Sequence, residues 1–509
     1  MFKRMTVVLL STILLCSAVG SFAETFTMAG YDGETSSPHL WETNEFFIRM
    51  EKRTGTSFTF SEYTDSAEWN AAKQAMLKGE NLPDVLFKAN LTTQEAVSFD
   101  NQGILIDLLP LLPEYAPNLW ILLQEHPEWL KAVTLPSGHV VALPAINELP
   151  SQNVMWMNQN WLDTLHLEAP ATLDELHDVL TAFKERDPNR NGKKDEKPLT
   201  FTGPWDLKFL SHAYGVVTND YNIYADEADM LHYWPLEDSF FALAQTLHTW
   251  YQEGLLDPDG FTTSDIMRRI TEDDKTIPFG MFFAPTPMSY VTYSLSSQYK
   301  ALLPLSFDGA QVYRETCSAI TGGAFAITKQ CSNPGELLRW VDVLYTEEGA
   351  IEAMVGYEDE SWEWLDEEEE EEGKAGSMLR RWNWVGGENA MSSTMLNSIT
   401  VYDTGYIPWH YPLRFGSGFY EATSIRLNEE LMKFQSFVKA ATKPVLPLGE
   451  TRDRMMTIQK DLAAYVDVIF SQIVLGEEIL TEEKVEEIRS EFRRLGCDEL
   501  LQLYQSALY

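Results

Sequence analysis

The stretch Asp187-Pro-Asn-Arg-Asn-Gly-Lys-Lys-Asp-Glu-Lys-Pro198 puts oxygen-bearing side chains at Asp187, Asn189, Asn191 and Asp195, with Gly192 among them. A hard cation such as Ca²⁺ takes six to eight oxygens, and alternating residues of a tight loop can aim them at one point. Asp187, Asn189 and Asn191 fill the first, third and fifth positions of a helix–loop–helix calcium loop, and Lys193 offers its backbone carbonyl at the seventh. The twelfth position, where such a loop carries a bidentate Glu, is Pro198, so the closing carboxylates are moved forward to Asp195 and Glu196. Just upstream, Thr172-Leu-Asp-Glu175 reads as a capping box, with Leu173, Leu176, Leu180 and Phe183 following at helical spacing. The loop therefore hangs from the end of a well-specified helix.

Working back toward the N-terminus, Lys3 and Arg4 precede an apolar run that ends near Val19, and Ser21-Phe-Ala23 follows. That order is the one of a secretory signal peptide, residues 1–23, cut after Ala23. The run is shorter than the roughly twenty residues a membrane span needs. Cys16 follows Leu14 and Leu15 rather than a small residue, which argues against a lipid anchor there. The mature chain is thus expected outside the cytoplasm, periplasmic or extracellular. The formal net charge of the whole chain, −39 with the basic Lys3 and Arg4 still included, argues against nucleic acid or anionic membrane as a partner. Removing Cys16 leaves Cys317, Cys331 and Cys497, an odd count that is no disulfide framework. Cys317 and Cys331 could pair, or both could be buried thiols. The unbroken acidic run Asp366–Glu372 reads as an exposed loop.

Between these landmarks, short apolar runs alternate with amphipathic stretches. Glu24–Met28, Ser57–Phe60 and Pro83–Phe87 read as strands; Glu45–Arg53 and Ala67–Leu77 read as helices, with Asn44 capping the first and Gly55 stopping it. This pitch predicts an α/β fold with a largely parallel sheet. A mature chain this long exceeds one core, so at least two lobes are expected. Thr321-Gly-Gly323 reads as a turn, and Thr481 as the cap of a late helix that Gly496 ends.

In order along the chain, Tyr115-Ala-Pro-Asn118, Ser137-Gly-His-Val-Val-Ala-Leu-Pro144, Trp161-Leu-Asp163, Pro170–Leu176, the loop itself, Ala326–Pro334 and Leu495-Gly-Cys-Asp-Glu-Leu500 resemble the family 1 extracellular solute-binding proteins of ABC importers. The likeness is greatest to long members with a calcium loop, such as the alginate-oligosaccharide-binding and LipO-like proteins. The resemblance implies a two-lobe periplasmic-binding-protein fold with a hinge and an interlobe ligand cleft. It places 24–147 in the first lobe with a return segment 277–325, and 148–276 in the second with 326–509. It also implies a structural Ca²⁺ held by Asp187, Asn189, Asn191, Asp195 and Glu196 side chains and the Lys193 carbonyl, away from the cleft. The protein would then be a monomer that delivers its ligand to a membrane permease.

The high aromatic content suggests the ligand, because sugar rings expose C–H faces that lie flat on aromatic rings. Trp205, Trp382, Trp384 and Trp409 are candidate platforms, with Arg381, Asn383 and His410 as polar neighbours. For any one tryptophan a place in the core is the commoner fate, and Trp161 and Trp340 are assigned there. An acidic protein suits neutral sugars better than uronates. No Gly-x-Ser-x-Gly, His-Glu-x-x-His or phosphate-cradling loop occurs, so no enzyme is expected. The alternatives from other classes are a secreted polysaccharide-degrading enzyme and a ligand-sensing partner of a membrane receptor.

Overall fold

The computed structural model describes residues 24–33, 39–148, 153–262, 277–315, 318–364, 382–387, 390–402, 406–411, 422–443, 445, 447 and 449–508. The expected signal segment with Cys16, as well as Cys317, Arg381 and the acidic run Asp366–Glu372, lies outside these residues. The strands that matter for the site are β1 (Glu24–Tyr31), β2 (Thr56–Tyr63), β3 (Val85–Phe87), β4 (Leu143–Ile146), β5 (Val154–Asn158), β6 (Lys197–Thr200), β7 (Phe279–Ala284), β8 (Tyr299–Leu302) and β9 (Ile320–Ile327). They form a five-stranded sheet in the order β2-β1-β3-β9-β4 and a four-stranded sheet in the order β8-β5-β7-β6.

Local signals set the first elements as expected. The Asn44 side chain accepts the Phe46 N–H, and the helix Glu45–Thr54 ends at Gly55 with φ 78°, a left-handed conformation that glycine adopts without a Cβ penalty. In the helix Leu173–Glu185 the Thr172 hydroxyl accepts the Glu175 N–H at 3.2 Å, but Glu175 reaches one residue further back, to the Ala171 N–H at 2.8 Å. The reciprocal capping box forms instead at Thr92 and Glu95, ahead of the helix Thr93–Asn101. Gly323 is no free turn: it lies inside β9 at φ 77°, where a Cβ would sit 2.1 Å from the Leu91 carbonyl oxygen.

Each sheet has its own core. In the first, Trp340 is fully buried, parallel to Phe47 at 6.1 Å and edge-on to Phe58 at 5.1 Å and Phe87 at 5.6 Å. In the second, every residue of β5 is buried, and the helices Asp238–Gln252 and Gly449–Leu475 pack on one another within the same core, with Phe240 on Phe470 at 5.5 Å. These pairings redraw the expected division. β7 and β8 both hydrogen-bond to β5, so 277–302 belongs to the second lobe and is not a return to the first. The return is made by β9, inserted between β3 and β4, and the first core then takes residues as far as Tyr411. Leu427 and the C-terminal helices rejoin the second.

Emptying the Trp340 site by Trp340→Ala should cost roughly 3–5 kcal/mol. In denaturant titrations the loss should fall on the transition of the first lobe and leave that of the second in place.

Candidate functional site

Strand direction decides where the two lobes meet. In the first sheet β1, β2 and β3 are parallel and β9 runs against both β3 and β4, so the C-termini of β1–β4 and the N-terminus of β9 share one end. The chain leaves that lobe after Ile146 and re-enters it at Ile320, at that end. In the second sheet β5 is antiparallel to β7 and β8, and β6 is parallel to β7. The C-termini of β6, β7 and β8 therefore lie at the end where β5 begins. A third connection leaves the first lobe past Tyr411, whose N–H donates to the Ile146 carbonyl while Ile146 donates to the Trp409 carbonyl, both at 2.8 Å. Ligands of open α/β sheets bind outside the carboxyl ends of the strands, and here both sets of ends lie at the crossings.

On the first lobe this end is built by a buried ionic cluster. Asp32 follows β1 and Lys88 follows β3, and their side chains form an ion pair with 0% and 2% exposure. His39 Nδ1 lies 2.7 Å from Asp32 Oδ1, and its Nε2 lies 3.0 Å from the Tyr402 carbonyl oxygen, which ties the first loop to the segment leading to the third crossing. Burial pushes the Asp32 carboxyl up, but the His39 hydrogen bond and the Lys88 charge outweigh it and hold the group well below the usual carboxylate range. Leu40, Lys88 and Asn90 adopt φ of 51°, 49° and 48°, conformations that cost energy and persist where the surroundings over-determine them.

On the second lobe Trp205 follows β6 and is 44% exposed. Its indole folds over Gly203, where a Cβ would meet the ring at 2.3 Å. The buried Asp206 fixes this loop by accepting the Thr202 N–H at 2.8 Å and the Asn153 amide at 3.1 Å. Leu303 and Phe307, after β8, are also exposed.

The other expected platforms are placed differently. Trp382 and Trp384 are each 2% exposed, packed edge-on to one another at 4.8 Å within the first core, and present no open face for a sugar ring. Trp409 is 5% exposed and enclosed by Tyr402 and Tyr411. Beside it, His410 Nε2 meets Glu148 at 2.7 Å, and that bond holds the Glu148 carboxyl below its ordinary value. Trp161 and Trp340 are core residues, as assigned. Cys497 is buried, which pushes its thiol up to about 12.

The loop that follows Glu185 curls on its own oxygens. Asp187 accepts the Asn191 and Gly192 N–H groups at 3.0 Å each, and Asn191 Oδ1 accepts the Lys193 N–H at 2.7 Å. The Asn191 amide reaches Asp195 at 2.8 Å. One Glu196 oxygen is buried with no hydrogen-bond partner among the described residues. Burial, then the charges of Asp195 and Asp187, raises the Glu196 carboxyl. At the far end of the loop, Lys197 binds Asp259 at 2.7 Å and Asp257 at 3.1 Å.

Two sheets joined by crossings at their strand carboxyl ends make up the same fold as solved ABC-transporter solute-binding proteins. The solute-binding protein of Bifidobacterium longum infantis that binds human milk oligosaccharides superposes with a TM-score of 0.73 at 20% identity, covering 95% of this chain and 98% of that one. A fructo-nystose complex of an EF-hand mutant of FusA from Streptococcus pneumoniae does so with a TM-score of 0.63 at 20% identity, covering 95% and 98%. In sequence, the chain is 31% identical over 234 residues to FusA, the fructooligosaccharide ABC transporter substrate-binding protein of Streptococcus pneumoniae, covering 43% of each. It is 27% identical over 166 residues to lipoprotein LipO of Bacillus subtilis, covering 31% of this chain and 32% of LipO. The chain thus spans less than half the length of the curated relatives it matches. No family model matches it.

Replacing Lys88 by Met leaves the Asp32 charge buried without its cation, which should cost roughly 3–5 kcal/mol near neutrality. A carboxylate with a depressed pKa stabilises the fold above its unfolded value and loses that contribution as pH falls through the folded one. The deficit of Lys88→Met against the parent should therefore narrow on acidification, which denaturant titrations at several pH values would read.

Proposed function

We propose that this protein is the extracytoplasmic substrate-binding subunit of an ABC importer, holding an oligosaccharide in the crevice at the lobe crossings and closing over it. The observation that carries the reading is the exposed Trp205 at the end of β6, on the same side as the crossings and the rim that Asp32 and Lys88 support. An exposed indole supplies the flat apolar face that a sugar ring needs. The relatives are binding proteins, which supports a transport role over the secreted-enzyme alternative. Ligand contacts with both lobes would stabilise the closed form, and the membrane permease would recognise that form. Among the described residues no helix is long and apolar enough to cross a membrane.

The same reading gives the loop a structural Ca²⁺, held by Asp187, Asn189, Asn191, Asp195 and Glu196 and by the Lys193 carbonyl. The buried, unpartnered Glu196 oxygen fits this, since a cation would satisfy it and relieve the repulsion from Asp187 and Asp195. Asp187, Asp195 and Glu196 are not gathered as a metal-holding group among the described residues, so the ion would have to draw them together, with the amide and backbone oxygens completing the set. The bound ion would tie the end of the helix Leu173–Glu185 to β6, on the second lobe and apart from Trp205.

Thermal-shift screening and calorimetry with fructo-oligosaccharides such as kestose, galacturonan oligomers and neutral milk oligosaccharides should give saturable binding to at least one. Trp205→Ala should weaken that binding at least about tenfold, ~1.4 kcal/mol. Hydrolysis of any of these glycans, or affinity unchanged in the variant, would count against the reading. Ca²⁺ at a hundredfold excess over Kd should add about 2.7 kcal/mol of stability that chelator removes. A carboxyl raised by folding destabilises the metal-free protein as pH rises past its unfolded value. Glu196→Gln should therefore melt higher than the parent in chelator at neutral pH, yet gain little from Ca²⁺.

A further inference from the structure

A pocket of about 570 Å³ opens on the first lobe, between the helix Glu45–Thr54, the helix Glu347–Val355 and the strand Trp362–Trp364. No residue of the second lobe lines it, so it is separate from the crevice at the crossings. Its size lies within the range of small-molecule sites, about 300–1,000 Å³. Two chemistries share its wall. Tyr357, Trp362 and Trp364 supply aromatic surface, with Trp362 and Trp364 edge-on at 5.0 Å. Five glutamates, Glu347, Glu348, Glu352, Glu358 and Glu360, stand against the single Arg49.

The pocket already receives one cation of its own. The Arg49 guanidinium lies 3.8 Å from the Tyr357 ring centroid and is held from the side by Glu45 and Glu360. Arg53, just outside, takes Glu352 at 3.1 Å and Glu348 at 3.7 Å. Glu347 and Glu358 form no ion pair among the described residues. The Tyr357 hydroxyl is buried with no hydrogen-bond partner among them. An anion would meet a wall of like charge. A bare hard cation takes oxygen ligands and would leave the aromatic half of the wall unused. What matches is a cation with a body, since an ammonium gains from both an aromatic face and nearby carboxylates.

We propose that this pocket is a second ligand site, for a small organic amine whose ammonium pairs with Glu347 and Glu358 and whose alkyl or ring body lies on Trp364, beside the Tyr357 ring that Arg49 already covers. The site stands independently of the oligosaccharide reading. An aliphatic polyamine and an amino sugar share this chemistry, so spermidine and glucosamine are the probes, with N-acetylglucosamine as the uncharged control.

The test is calorimetry of the full chain at about 150 mM salt, where the screening length is about 8 Å and diffuse attraction to an acidic protein is weakened. At least one amine should bind saturably at one site per chain, and N-acetylglucosamine should not. Glu347→Gln with Glu358→Gln, and separately Trp364→Ala, should each weaken binding at least about tenfold. The same two-carboxylate change at Glu482 and Glu483, on another helix, should leave it unaltered, and matching circular dichroism would confirm folding. Absence of saturable binding by both amines overturns the proposal, as does equal weakening by the pocket variants and the Glu482/Glu483 control. Preference for spermidine would assign an aliphatic amine, and preference for glucosamine an amino sugar.

Discussion

The arrangement rests on one constraint: the chain passes between lobes at the end of each sheet where strand carboxyl termini gather. β9 enforces it on the first lobe by running antiparallel between β3 and β4, so that the chain can leave after β4 and return into β9 without spanning the sheet. The close approach of Gly323 to Leu91 is what this insertion demands of the sequence. The third connection adds to it, since the backbone of Trp409 and Tyr411 hydrogen-bonds to Ile146 beside the first. A hinge composed of such adjacent segments can rotate while both cores stay intact, which is how two-lobed binding proteins close.

The buried Asp32–Lys88–His39 cluster translates that constraint into chemistry. A buried ion pair contributes little net stability, because desolvation offsets its attraction, but its geometry is strict. It holds the loops after β1 and β3 in strained conformations at the rim, and through Tyr402 it reaches the segment that leads to the hinge. Across the crossings, Asp206 does the equivalent for Trp205 with two hydrogen bonds. The loop Asp187–Glu196, by contrast, is bound up with the second lobe's own core, where Gly280 leaves room for Phe183 and the Pro198 carbonyl.

Much of the first lobe was legible in the sequence because its signals are local. Asn44, Gly55 and the runs around Phe58 and Val85 mark their elements within a few residues. The course of the chain between lobes was not, since β7 and β9 are both short apolar strands, and only hydrogen-bond partners assign one to each sheet. The loop Asp187–Glu196 stands out in the sequence because its oxygen-bearing side chains lie close together along the chain. The rim was missed because Asp32, His39 and Lys88 come together only through the parallel pairing of β1 with β3. A positional rule, polar residues directly after a strand's carboxyl end, would have flagged Asp32 and Lys88. Tryptophan content does not distinguish core from surface: Trp382, Trp384 and Trp409 serve the core, and Trp205 alone of the described candidates is open.

The central claim is that one ligand draws both lobes together. Its most direct test is the distance between spin labels at Lys52→Cys on the first lobe and Lys460→Cys on the second, measured with and without a saturating oligosaccharide. The account predicts a shift of the whole distribution to a shorter, narrower distance on binding. An unchanged distribution under conditions where calorimetry shows the sites filled would contradict it.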